Sequence, residues 1–191
     1  MGNQNKTVIV LTGPPASGKS TITDMIREMA VPCKDTGDAI RDEAERRYED
    51  PDEDDVWDVA ESIREEIGPE GPTAVAEEWI HDQDSDLICI SSTREQAEVE
   101  WLRDEIGDVL TIRIDAPQLE REHRYVESKI ENVDPGISKS KVENLREELR
   151  EREERESPYP NHDVMIWNDN DTQFLSIQMR IKHTINALRG S

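Results

Sequence analysis

Residues 7–21, TVIVLTGPPASGKST, constrain this chain more than any other stretch. Val8, Ile9, Val10 and Leu11 form a β-branched apolar run of the kind that makes a strand buried on both faces. Residues 13–20 then match G-x-x-x-x-G-K-[ST] without a mismatch, and Ile22, Met25, Ile26 and Met29 follow at helical spacing. Strand, glycine-rich loop and helix in that order build an anion site. The glycines let backbone N–H groups turn inward, and the helix start adds unpaired donors and the positive end of its dipole. Gly13, Pro14, Pro15, Ala16, Ser17, Gly18, Lys19, Ser20 and Thr21 are therefore expected to hold the phosphates of ATP. Lys19 would reach the outer phosphates and Ser20 would hold Mg²⁺. A chance match in a turn before a helix is the bland alternative, and the flanking pattern argues against it.

At 191 residues the chain is read as one domain, residues 1–191, with room for a real core. It has no leading basic-then-apolar segment and no apolar run of about 18 residues, so a soluble cytoplasmic protein with no membrane partner is expected. Cys33 and Cys89 each sit in a short strand-like apolar segment, which suits buried thiols better than a disulfide or a metal site. The 45 acidic residues against 23 basic ones give a net charge of −22. Such a surface repels itself at low ionic strength, and a Debye length of ~3 Å at 1 M salt removes most of that penalty. A halophilic, high-salt cytoplasm is the expected setting. The regular apolar periodicity excludes a disordered acidic chain, and the acidity argues against nucleic-acid binding.

After the first helix, residues 31–34 read as a second strand running into DTGDAIR at 35–41. TGDxxR shortly after such a loop resembles the adenylate kinase group of nucleoside monophosphate kinases. The loop resembles theirs too, with Pro15 in the matching place and Ala16 where those enzymes usually have glycine. GDAIRDEAERR, VAESIREEIGPEGPTAVAEE, TREQAEVEWLR and REERE extend a closer resemblance, over most of the chain, to archaeal P-loop kinases related to adenylate and dephospho-CoA kinases.

Strands at 87–90, 109–114 and 164–167, each followed by helical sequence, complete an α/β pattern of five strands. The resemblance implies a parallel sheet of order 2-3-1-4-5, with ligands at the carboxyl ends of the strands. It also implies an acceptor-binding subdomain at 36–83, where Thr36, Asp38 and Arg41 meet the acceptor, and a role for Arg94 on the acceptor phosphate. Within that subdomain, Val56, Val59, Ile63 and Ile67 make one apolar stripe. A break at 68–72 separates it from Val75, Trp79 and Ile80. Many relatives end the third strand in an aspartate that orders Mg²⁺; here Ser91 stands there, with Asp115 as a possible substitute.

The helix over about 139–156 carries only Val142, Leu145 and Leu149 as a narrow apolar stripe, too little for a core element. Together with the helix from Pro117, it is expected to form a lid over about 121–156. Arg121, Arg124, Arg152 and Arg155 are its candidate catalytic groups, and Arg146 and Arg150 are also available. The bland reading is Glu–Arg pairing on a solvated helix. A break at 132–136 separates the two lid helices, and the resemblance implies that Asn168 lies near the base of ATP. Phe174, Ile177, Ile181, Ile185 and Leu188 mark a closing helix on the sheet, and the four tryptophans are read as packing groups.

Phosphoryl transfer rests on positioning and charge neutralisation. A phosphate acceptor is already anionic, so cations suffice; a hydroxyl acceptor needs a base, for which Asp38 is placed. The leading expectation is an ATP–Mg²⁺-dependent nucleoside (or deoxynucleoside) monophosphate kinase. A dephospho-CoA kinase-like hydroxyl kinase and a non-transferring ATPase switch are the alternatives. Base, sugar, and the choice between monomer and homodimer stay open.

Overall fold

The apolar run after residue 6 becomes β1 (Lys6–Thr12), the central strand of a five-stranded parallel sheet. It pairs on one side with β3 (Leu87–Ser91) and on the other with β4 (Gly107–Asp115). β2 (Cys33–Asp35) lies outside β3, and β5 (Val164–Trp167) lies outside β4, giving the order 2-3-1-4-5. This computed structural model describes residues 6–130, 138–156, 159–169 and 174–190. The expected break at 132–136, Asn170 and the side chain of Phe174 lie outside the described residues.

Alternation along β1 sends successive side chains to two cores. Ile9 and Leu11 pack with Ile22 and Ile26 of α1 (Lys19–Glu28) and with Ile177, Ile181 and Ile185 of α9 (Phe174–Arg189). Val8 and Val10 pack with Ile88, Ile90 and Val99 on the opposite face. There α6 (Gln96–Trp101) runs on into a wider π turn, Leu102–Ile106, that feeds β4.

Between β2 and β3 the chain builds α2 (Thr36–Arg47), α3 (Glu53–Glu66), α4 (Gly71–Ala74) and α5 (Glu77–His81). Ile40, Ala44, Val59, Ala60 and Ile63 give these helices a small core of their own. Asp52 caps α3, and its reciprocal partner Asp55 completes a capping box, so the acidic run at 49–55 has a local structural job. Of the stripe expected beyond the 68–72 break, Val75 caps α4, while Trp79 and Ile80 lie in α5. Gly71 starts α4 where a Cβ would come within 2.6 Å of Ile63 Cγ2. Ile67, assigned to the α3 stripe, caps that helix and is half exposed.

α7 (Gln118–Lys129) and α8 (Lys139–Glu156) lie between β4 and β5. Along the 18 residues of α8 only Leu149 and Glu156 are buried, in keeping with its narrow stripe. β2 is displaced from the expected 31–34, because Cys33 pairs with Cys89 and Asp35 with Ser91 while Val31 drops into the core. Cys33 and Cys89 are free thiols facing each other across that register. No helix among the described residues is long and apolar enough to cross a membrane.

Candidate functional site

The loop between β1 and α1 folds tightly around its own backbone. Gly13 (φ +127°) sits where a Cβ would lie 2.0 Å from Ile114 O, and Gly18 (φ +101°) where one would lie 2.2 Å from Asn168 Nδ2. Ala16 adopts the left-handed conformation (φ +58°) that glycine would take more cheaply, at a strain of roughly 1 kcal/mol. Lys19 opens α1 and bends back to donate to Gly13 O (2.7 Å) and Pro14 O (2.8 Å). Burial lowers its pKa to about 8; Glu156 and Asp35 oppose this, while Arg152 and Arg94 add to it. Ser17 Oγ is buried without a partner among the described residues, and Ser20 and Thr21 are exposed at the helix start.

Asn168, just past β5, is brought against this loop. Its Nδ2 donates to Ser17 O (2.7 Å), its backbone N–H donates to Asp115 O (2.7 Å), and its carbonyl accepts from Arg124 Nη2 (2.9 Å). Arg124 also pairs with Glu120 at 3.1 Å, and its buried Nη1 has no hydrogen-bond partner among the described residues.

Asp115, offered as a substitute for an aspartate at 91, is held by Arg113 (2.8 and 3.1 Å) and by the Ala116 N–H (2.9 Å). Asp35, at the end of β2, lies beside Ser91 of the neighbouring strand and caps α2. Its Oδ2 accepts from Ser91 Oγ (2.8 Å) and Ser92 Oγ (2.5 Å), and its Oδ1 accepts from the Gly37 N–H (2.8 Å). Ending β2 at Lys34 hides this residue; the signal that finds it is the register placing 35 beside 91.

A cavity of about 350 Å³ opens beside these strand ends, walled by α2, α3, α4, α6 and α8. Thr36, Arg41, Arg94, Arg152 and Arg155 all line it. Arg94 and Arg155 each lie 5.1 Å from the Trp57 ring centroid, so Trp57 is a cavity wall and not the packing residue the sequence suggests. Glu156 Oε1 sits between Arg152 Nε (2.8 Å) and Arg94 Nη2 (3.2 Å). Burial lowers the Arg94 pKa. Arg41 pairs with Asp38 at 2.6 Å, and both side chains are half exposed.

The other candidate lid arginines do not line this cavity. Arg121 is buried, donating from Nε to Ala116 O (3.0 Å) and from both Nη atoms to Glu153 (2.8 and 3.0 Å). Arg146 and Arg150 reach the buried Glu122 at 3.7 and 3.0 Å. These three clamp α7 to α8. Sequence reading also passed over Glu98, a buried cavity residue whose pKa burial raises to about 7. Among the described residues no group of three or more His, Cys, Asp or Glu is arranged to hold a metal ion by itself.

A protein-family model described as an AAA domain matches residues 12–134, from the loop through α7. The chain is 35% identical over 150 residues to a UPF0200 protein of Methanosarcina barkeri, covering 78% of this chain and 76% of that one. Its fold is similar to TT1252 from Thermus thermophilus (TM-score 0.61, 17% identity, 96% and 97% of the two chains). It is also similar to a shikimate kinase from Bacteroides thetaiotaomicron (TM-score 0.54, 17% identity, 96% and 98%). At that identity the likeness is one of fold, and the fold is that of P-loop kinases.

Proposed function

Because the chain belongs to the AAA domain family and to the UPF0200 proteins, we propose that it is an ATP-dependent kinase whose acceptor is a nucleoside or deoxynucleoside monophosphate. The observation that carries this is electrostatic continuity. Lys19 in the loop interacts with Arg94, Arg152, Glu156 and Asp35, so donor loop and arginine-lined cavity form one site. Two cationic centres facing each other are what transfer between two phosphate-bearing ligands needs.

The loop from Gly13 to Thr21 holds the donor, and its unpartnered Ser17 Oγ and tightly packed glycines fit that use. Lys19 exchanges two backbone carbonyls for phosphate oxygens. Arg124 and Asn168 support the donor side. Ser20, exposed at the start of α1, would hold the Mg²⁺ that comes with ATP, with Asp35 as a second candidate, and the ion would supply charge neutralisation on the phosphates. Arg94, Arg152 and Arg155 neutralise the transferring group and acceptor phosphate, and Thr36 and Arg41 receive the acceptor. Arg121, expected among the catalytic residues, here acts through the position of α8. Residues 36–83 serve as the acceptor subdomain and about 121–156 as the lid.

The hydroxyl-acceptor reading needs a free base. Asp38 is paired with Arg41, and Asp35 already accepts three hydrogen bonds, which favours a phosphate acceptor.

The test is ADP and product formation from ATP with a panel of ribo- and deoxymonophosphates and dephospho-CoA, for wild type and Lys19→Ala. Monophosphate-dependent ADP release that Lys19→Ala abolishes is expected. Transfer to dephospho-CoA alone, or ATP hydrolysis indifferent to every acceptor, overturns the reading.

A further inference from the structure

The sequence has two cysteines, far apart in the chain, and the fold makes them register partners. Cys33 of β2 and Cys89 of β3 face each other across parallel strands. Both side chains fall on the same side of the sheet, in the core layer that packs on α1 and α9. Adjacent strands lie about 4.8 Å apart, inside the roughly 4.4–6.8 Å between Cα atoms that a disulfide spans. Packing asks for no sulfur here, since every other buried member of that layer is isoleucine, leucine or valine.

The two thiols are not equivalent. Cys33 is partly exposed, whereas Cys89 is fully buried. A hydrogen bond between them holds the Cys33 thiol below its ordinary range; Arg27 helps, while burial and Asp24 oppose. The same bond, and then burial, push the Cys89 thiol up. Cys33 is the sulfur that a small oxidant meets first, and Cys89 is the one within reach behind it.

We propose that Cys33 and Cys89 form a reversible disulfide when the protein meets a hydroperoxide, with Cys33 attacking and Cys89 resolving. The Cys33 thiolate attacks one peroxide oxygen, the O–O bond breaks, and Cys33 becomes a sulfenic acid as water or an alcohol leaves. The Cys89 sulfur then attacks the Cys33 sulfur, and the S–O bond breaks. The hydroxyl departs as water with the Cys89 proton, so two thiols have passed two electrons to the peroxide. Oxidising Cys33 also removes the hydrogen bond that held the Cys89 proton in place. Ring closure at this stage keeps Cys33 from the irreversible sulfinic step.

The position of the bond gives it a structural effect. The helices α2 to α5 leave the sheet after Asp35 and return at Leu87, so a bridge from 33 to 89 ties the two stems of that whole insertion. Two residues further along each strand, Ser91 Oγ already donates to Asp35 Oδ2 (2.8 Å). The disulfide adds a covalent tie beside that contact and takes loop freedom from the unfolded chain. None of this depends on the acceptor being a monophosphate.

The experiment exposes the reduced, folded protein to hydrogen peroxide, then counts thiols after denaturation and measures the intact mass. The two free thiols should fall to none, the mass should drop by two hydrogen atoms without a dimer forming, and dithiothreitol should restore both thiols. Cys89→Ser should stop at a Cys33 sulfenic acid that dimedone traps, and Cys33→Ser should keep its Cys89 thiol. Circular dichroism confirms that each variant is folded. Oxidised wild type should melt higher than reduced by roughly 5–10 °C, a shift that peroxide gives to neither serine variant. Thiols that persist in folded wild type, a bridge that forms only after denaturation, or one that joins two chains overturns the proposal. Equal dimedone labelling of wild type and Cys89→Ser does so as well, because Cys89 would then resolve nothing. An oxidised wild type that melts no higher refutes the tie between the stems.

Discussion

Replacing Lys19 by methionine should remove transfer and, at the same time, make the protein more stable. The Lys19 pKa falls from 10.5 to about 8 because its ammonium is drawn into the loop. A shift of that size corresponds to roughly 3 kcal/mol against the charged folded form. Residual solvent contact screens part of it, leaving about 2–3 kcal/mol. Methionine keeps the stem but leaves Gly13 O and Pro14 O without their donor, which returns about 1 kcal/mol. The net gain at pH 7 is about 1–2 kcal/mol, or a Tm higher by roughly 3–6 °C for a chain of this size. The sign with pH is fixed by linkage. A lowered lysine pKa means the unfolded chain binds more protons, so wild-type stability rises between about pH 8 and 10.5. The advantage of Lys19→Met should therefore be full at pH 7 and mostly gone by pH 9.5. Urea unfolding of both proteins at the two pH values, without nucleotide, measures this. A variant less stable at pH 7, or a gap that does not shrink by pH 9.5, refutes the argument.

Arg121→Met should destabilise by about 2–4 kcal/mol, since it strands Glu153 and Ala116 O at the α7–α8 contact; calorimetry checks it, and a change below 0.5 kcal/mol would show that the clamp is idle. Asp35→Asn should lower kcat by at least about tenfold with little change in Tm, whereas normal turnover in that variant would remove Asp35 from the metal site. With a net charge of −22, folding and turnover should both rise from 0.05 to 3 M KCl, because screening relieves the acidic surface while close phosphate contacts persist. Highest Tm and activity at 0.05 M would show that the acidity has another cause.

Local signals in the sequence carried far. The loop at 13–20, the apolar run of β1 and the thin stripe of α8 are each visible within a dozen residues, and the sheet order followed from the resemblance. What escaped was set by packing between distant segments. Asp35 becomes a site residue only through pairing with Ser91, 56 positions away. Glu98 and Thr73 meet across 25 positions, and neither stands out in a charged helical sequence. Arg121 and Arg152 look alike on paper, yet one points into the α7–α8 seam and the other into the cavity. Trp57 reads as apolar packing until two arginines are found against its ring.

The position of Glu156 sets an entry rule for anions. Its carboxylate already occupies the space between Arg94 and Arg152, carried there by the last turn of α8. Being tethered, it competes at a high effective concentration, on the order of millimolar or more. A chloride ion or a free carboxylate brings those guanidiniums no more charge than Glu156 supplies, so it enters only where its own concentration exceeds that effective value. A phosphate monoester brings close to two charges and three acceptor oxygens, enough to dislodge the resident. On the proposed reading, displacing that carboxylate from the last turn of α8 would couple phosphate occupancy to movement of the helix, while the empty site keeps Arg94 and Arg152 paired with Glu156.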